Sequence, residues 1–241
     1  MRSDFVDYHR RQTIGFQAPP AAWQDPLNPF VPIRGGDFVM GATDVFARVH
    51  RVRLSSYAIQ QHEVTNEEYR RFDPTHSFPA GREKYPVDSV DWYAAQGYAA
   101  WLGGSLPTEA QWEFAARGKH GRTYPWGDGP PTRERANFFT NDSRPESEAV
   151  GSHPKGSTPE GIQDLAGNVW EWCSDWFDVY PPAADLELDP LGPVHGTGRV
   201  LRGGSYFYDA ALLRAAYRNN DLAGSRYLNI GFRVAISRPD A

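Results

Sequence analysis

A chain of 241 residues is long enough to bury a sizeable core, and its 14% aromatic content, with Gly and Pro spread rather than clustered, excludes a disordered or fibrous protein. The net charge of −5 offers no footprint for nucleic acid or an anionic membrane surface, and the single cysteine forbids an intrachain disulfide. No stretch approaches the ~20 apolar residues that span a bilayer, so neither nucleic-acid binding nor membrane insertion is expected.

Residues 1–32 are polar and dotted with proline (APPAAWQDPLNPF), and they are expected to form an arm ahead of one domain over 33–241. The first residues carry charge but no apolar signal core. The expected location is the cytoplasm, or outside it by a route not visible in this chain. GGDFVMGA and HRVRLSSYAI then read as short strands around turns, with Val52 and Leu54 alternating.

Three helix signals follow. Thr65 with Glu68 three residues on forms a capping box before EEYRRF. Asp91 opens WYAAQGYAAWL, whose Ala95, Tyr98, Ala99 and Leu102 share a face, and Gly103 is placed to end it. Thr108 opens EAQWEFAARG, with Gln111 at the reciprocal position and Gly118 as the stop. No helical period is visible beyond Gly118. Residues 119–198 read as long ordered loops with aromatic anchors, and 199–236 as strands and loops. Helices first and irregular β structure afterwards predict an α+β fold. Charge is also uneven along the chain: from Arg199 onwards there are seven Arg against three Asp. That imbalance would either steer a partner or serve internal ion pairs.

The strings GDFVMG, EVTNEEYRRF, PVDSVDWYAAQGYAAWLG, LPTEAQWEFAARG, YPWGD, GIQDLAGNVWEWCSDWF, RVLRGGSY and IGFRVA occur in that order. Together they resemble the sulfatase-modifying-factor domain, the fold of formylglycine-generating enzyme. The same domain occurs in ergothioneine-type sulfoxide synthases and in variable proteins of diversity-generating retroelements. The resemblance implies a C-type-lectin-like fold with two helices, small antiparallel sheets and long ordered loops. Fold alone does not set function, so each site is weighed separately.

The family's copper oxidase holds its metal through two cysteines five residues apart, because soft thiolates select Cu(I). Alignment with that motif puts Ala210 and Ala215 at the thiol positions, and one cysteine cannot make a pair in any alignment. Cys173 reads as a buried, inert thiol. The sulfoxide synthases bind iron with histidines from a separate helical domain, whereas the seven histidines here are scattered with no HxxxH or HxH pairing. Neither copper nor iron is expected.

Calcium is the expected structural cofactor. DLAGNVWE offers the Asp164 and Glu171 carboxylates with the Gly167 and Val169 carbonyls between them, an oxygen set suited to a hard cation. The resemblance makes these positions a calcium site, Asp164 standing where an asparagine is usual. A second site would use Asn137 and the Phe138 carbonyl, with Asp142 as its carboxylate. The plainer alternative is that these groups only cap turns.

The region 199–234 carries a further signal. Between framework-like ends lie tyrosines interspersed with Ser, Gly, Asn and Asp, the composition of a binding surface that combines rigid aromatic area with adaptable polar groups. From Leu188 to Ala241 there is no Lys, Glu, Gln, Met or Trp. Those five types are unreachable when the adenines of AAC-type codons mutate, which is how retroelement variable proteins diversify. The reading is a non-catalytic protein that binds a protein or other macromolecular ligand through Tyr206, Phe207, Tyr208, Asp209, Tyr217, Asn219, Asn220, Tyr227 and Leu228. The alternatives are a metal-dependent oxidase of the formylglycine or sulfoxide-synthase type and a purely structural accessory domain.

Overall fold

Among the described residues, three helices begin where a polar side chain can answer the unpaired N–H groups of a first turn. In α1 (Asn66–Phe72) and α3 (Glu109–Arg117) both halves of the capping box form, Thr65 with Glu68 and Thr108 with Gln111. In α2 (Trp92–Trp101) the Asp91 carboxylate accepts from the Ala94 N–H at 2.8 Å. Each such cap is worth about 1 kcal/mol. Gly103 and Gly118 follow α2 and α3 at φ +85° and +63°, conformations that cost glycine little. The resemblance implied two helices; among the described residues there are three, the shortest being α1, about two turns long.

The computed structural model describes residues 26–43, 47–141, 145–180 and 186–237. Most of the expected arm, and Asp142 of the second expected metal site, lie outside them. The strands form three small sheets. The first orders β1 (Phe30–Ile33), β4 (Tyr57–Gln60) and β10 (Ala235–Ser237), all antiparallel. Phe30 to Pro32 were expected to belong to the arm but are already strand. Pro32 is tolerated because β1 is an edge, where a missing N–H breaks no ladder. The second sheet orders β2 (Gly36–Ala42), β3 (Ala47–Leu54) and β6 (Glu187–Leu188). The third orders β8 (Asn219–Asp221), β7 (Arg199–Arg202), β5 (Trp170–Trp176) and β9 (Ile230–Gly231). Pairing is antiparallel except for two-residue parallel contacts between β3 and β6 and between β5 and β9.

β5 divides the interior. Successive side chains of a strand point to opposite faces, so Trp170 and Trp172 enter a core built on α2, with Tyr98, Ala99 and Phe232. Cys173 enters a second core built on α3, with Trp112, Phe114 and Val200. All four residues from Trp170 to Cys173 are buried, as befits a central strand covered on both faces.

Helix α3 is buried on every side except at Arg117, although it carries Glu109, Gln111 and Glu113. Its carboxylates are answered from the C-terminal region. Arg202 pairs with Glu113, and Arg218 pairs with Glu109 at 2.6 and 2.8 Å. Arg233 grips Glu171 with two bonds of 2.7 Å. Arg199 lies between the rings of Trp92 and Trp176, 3.7 and 3.5 Å from their centres. The cationic excess after residue 198 is therefore largely internal wiring rather than a steering surface.

Candidate ligand-binding hollow

The chain leaves β7 through Gly203 and Gly204, both with positive φ (+98° and +78°). A Cβ at Gly204 would meet the Leu213 side chain at 2.8 Å, so this turn requires glycine. It delivers Tyr206, Phe207 and Tyr208 to one lip of an open hollow of about 590 Å³. Tyr227 and Leu228 form the opposite lip, Asn219 on β8 forms one end, and Trp170 lies at the floor.

Backbone bonds hold both lips. On the first, Tyr206 N–H donates to Asn168 at 2.8 Å and the Tyr208 carbonyl accepts from Phe139 N–H at 2.9 Å. On the second, the Tyr227 carbonyl accepts from Ser89 N–H at 3.0 Å and the Asn229 carbonyl from Trp170 N–H at 2.8 Å. Asn229 Nδ2 also donates to Ser205 Oγ, tying one lip to the other at 3.2 Å. Behind them Arg202 Nη1 and Nη2 donate to the carbonyls of Ala215, Ala216 and Tyr217 at 2.7 to 3.1 Å. The side chains over this frame remain available: Phe207 is 58%, Tyr227 51% and Leu228 67% exposed. Trp170 is buried, and its indole N–H has no hydrogen-bond partner among the described residues.

Six of the nine residues read from the sequence thus surround one hollow. The other three do not. Asp209 caps the 3₁₀ turn Ala210–Leu213, accepting from Ala211 N–H at 2.8 Å. Tyr217 packs behind Trp170, with ring centres 6.2 Å apart. Asn220 points away, since the alternation of β8 gives Asn219 and Asp221 to the hollow. Trp170, Ser89, Asp221 and Arg226 also border it. Two of these, Ser89 and Trp170, lie outside the 199–234 region that marked the surface, and no local sequence signal singles them out.

The expected metal residues are placed as follows. Asp164 Oδ2 accepts from Gly151 N–H at 2.6 Å, and both Glu171 oxygens are engaged by Arg233, with Trp112 Nε1 adding a third bond at 2.9 Å. Glu63, which sequence reasoning missed, joins them. It is wholly buried, its Oε1 has no hydrogen-bond partner among the described residues, and burial together with the charges of Asp164 and Glu171 pushes it well above the usual carboxylate range. Burial also raises Asp164. Three enclosed carboxylates face one guanidinium, that of Arg233, so a cation bound here would relieve an excess of negative charge. Among the described residues no three His, Cys, Asp or Glu side chains are grouped to hold a metal by themselves. An ion at Asp164 would accordingly rely on backbone oxygens such as those of Gly167 and Val169.

In the second set a guanidinium meets the two described oxygens. Arg133 Nη1 donates to Asn137 Oδ1 at 2.8 Å and to the Phe138 carbonyl at 3.1 Å, and its Nη2 reaches Glu148 at 2.8 Å. The guanidinium already occupies the oxygens that an ion would need. Of the positions aligned with a thiol pair, Ala215 is buried in the α3 core and Ala210 starts the 3₁₀ turn. Cys173 faces that core on the side of β5 away from Trp170, and burial raises its thiol well above the ordinary value.

Residues 15–238 match the sulfatase-modifying factor enzyme 1-like domain. Over 88% of its length the chain is 37% identical to the serine/threonine-protein kinase pkn1 of Chlamydia pneumoniae, of which it spans 38%. Over 71% of its length it is 42% identical to the formylglycine-generating enzyme of Streptomyces coelicolor, spanning 59% of that protein. The chain thus spans less than two thirds of either relative. Among solved structures, Treponema denticola variable protein 1 superposes with a TM-score of 0.75 at 26% identity, covering 88% of this chain and 95% of that one.

Proposed function

Because the chain belongs to the sulfatase-modifying factor enzyme 1-like domain family, we propose that it is a non-catalytic member of it, a ligand-binding protein of the retroelement variable-protein type. The observation that carries this reading is the convergence of Tyr206, Phe207, Tyr208, Asn219, Tyr227 and Leu228 on one hollow of about 590 Å³ whose backbone is fixed on both lips. Rigid lips carrying exposed aromatic side chains are what a binding surface needs, since little ordering is left to be lost on association. The ligand is a protein segment or similar macromolecule. It covers the aromatic lips, where Phe207, Tyr227 and Leu228 are exposed. Likeness to a variable protein over 88% of the chain supports the same reading. Against the copper-oxidase alternative stands the cysteine count, because a copper thiolate pair needs two cysteines and this sequence holds one.

One structural calcium belongs to this reading, at the Asp164 loop with Glu63 close by. The Arg133 guanidinium replaces a second ion. Bound there, calcium would supply positive charge to the crowded carboxylates and tie the 164–171 segment beneath the hollow.

Panning a displayed peptide library against the chain, with counter-selection on a Tyr208→Ala/Tyr227→Ala variant, tests the binding claim. Peptides that bind the native chain and lose at least tenfold affinity for the double variant are expected. Recovery only of peptides indifferent to both changes would refute the reading. At the DNA level, an adenine-rich template copy of codons 199–234 beside a reverse transcriptase gene is expected, and its absence would remove the retroelement part alone.

A further inference from the structure

A second cavity, of about 460 Å³, lies between α3, the end of β5 and the 187–193 segment, and the hollow's residues take no part in it. Two of the carboxylates lining it are buried, Glu109 at 2% and Asp175 at 5% exposed. The Asp175 Oδ2 accepts from Glu109 N–H at 2.9 Å and from Ser174 Oγ at 2.8 Å. No hydrogen bond from a described residue reaches Oδ1. Gly192 is the residue that keeps Oδ1 clear: a Cβ there would lie 2.9 Å from it, and the backbone has φ +69°.

Charge within the cavity is unbalanced. Glu109 and Arg218 cancel one another through their paired bonds, and the Arg218 guanidinium is further held over the Tyr180 ring at 3.7 Å. Asp175, Asp178 and Glu187 remain, with His50 the one other basic side chain lining the space among the described residues. The mouth is apolar instead: Val179 is 63% and Leu191 74% exposed, with Pro190 beside them. The rim is anchored, since Asp189 accepts from Ser55 N–H and Oγ at 2.7 Å each.

We infer that this cavity binds an ammonium or guanidinium group carried on an apolar stem, with the Asp175 carboxylate as its counter-charge and Val179 and Leu191 against the stem. A buried carboxylate oxygen open to a cavity favours a cation over a neutral group of the same shape, and the apolar mouth favours a stem over a bare ion. Burial, then the charge of Glu109, raises Asp175 to about 7, while Arg218 opposes. Arg199 also bears on Asp175, and His50, Asp178 and Glu187 complete the charged surroundings.

The test is calorimetric titration of the full chain with n-pentylammonium and with 1-pentanol at pH 6 and pH 8. The amine is expected to bind at least tenfold more tightly than the alcohol. Its affinity should rise about tenfold between the two pH values as Asp175 ionises, because the competent fraction grows by that factor. Asp175→Asn, which keeps an oxygen for Glu109 N–H, should lose the amine preference. Leu191→Arg, at an exposed position, should block the mouth and weaken the amine at least tenfold. Equal affinity for amine and alcohol, undiminished binding in either variant, or no saturable binding of the amine would each overturn the inference.

Discussion

Arg202 has no exposed surface, and its guanidinium meets Glu113 and three backbone carbonyls from residues 215–217. Removing one partner of such a pair strands a charge in low dielectric, which costs about 3–5 kcal/mol. Glu113→Ala and Arg202→Ala should each destabilise by that amount in urea melts. Tyr227→Ala, at a half-exposed lip, should stay within about 0.5 kcal/mol. A large loss for Tyr227 would make it framework and not contact surface. Asp175 gives a pH signature of its own. Its folded value of about 7 stands above the ordinary 3.8, so the fold binds its proton more tightly than the unfolded chain does. The stabilisation is complete below about pH 4 and is lost as pH rises to 7. Asp175→Asn should therefore raise the melting temperature at pH 8 by more than at pH 5, and an equal change at both would contradict that ionisation.

At the scale of elements, what was legible in the sequence was local. Thr65, Asp91 and Thr108 announce their helices because a cap and its N–H partner lie within three residues. Tyr206 to Tyr208 and Tyr227 to Leu228 were legible as a surface by composition, but their meeting across Trp170 depends on β5, β7 and β9 lying side by side. The outward turn of Asn220 follows from strand alternation, which three polar residues do not reveal. The metal positions were the least legible. Arg133 reaches oxygens four and five residues on in a segment without periodicity, and Glu63 joins Asp164 from a hundred residues away. One calcium per chain is expected by elemental analysis, and its removal by a chelator should lower the melting temperature. Glu63→Gln should weaken that chelator response, and a count of two ions would contradict the role given to Arg133.

For the whole molecule, the acidic early part and the basic C-terminal region are joined by three buried ion pairs and one at the surface, that of Arg226. Arg202, Arg218, Arg226 and Arg233 pair with Glu113, Glu109, Asp91 and Glu171. A frame closed by long-range pairs can carry varied side chains on its lips without being rebuilt. No described helix is long and apolar enough to cross a membrane. A cysteine-containing peptide incubated with the chain, copper and oxygen should be recovered unchanged, and copper-dependent formation of an aldehyde would restore the oxidase reading. The most direct measurement is amide hydrogen exchange of the chain with and without a peptide selected against it. Protection is predicted at residues 205–208 and 226–230, the two lips of the hollow. Protection confined to other segments would contradict the account.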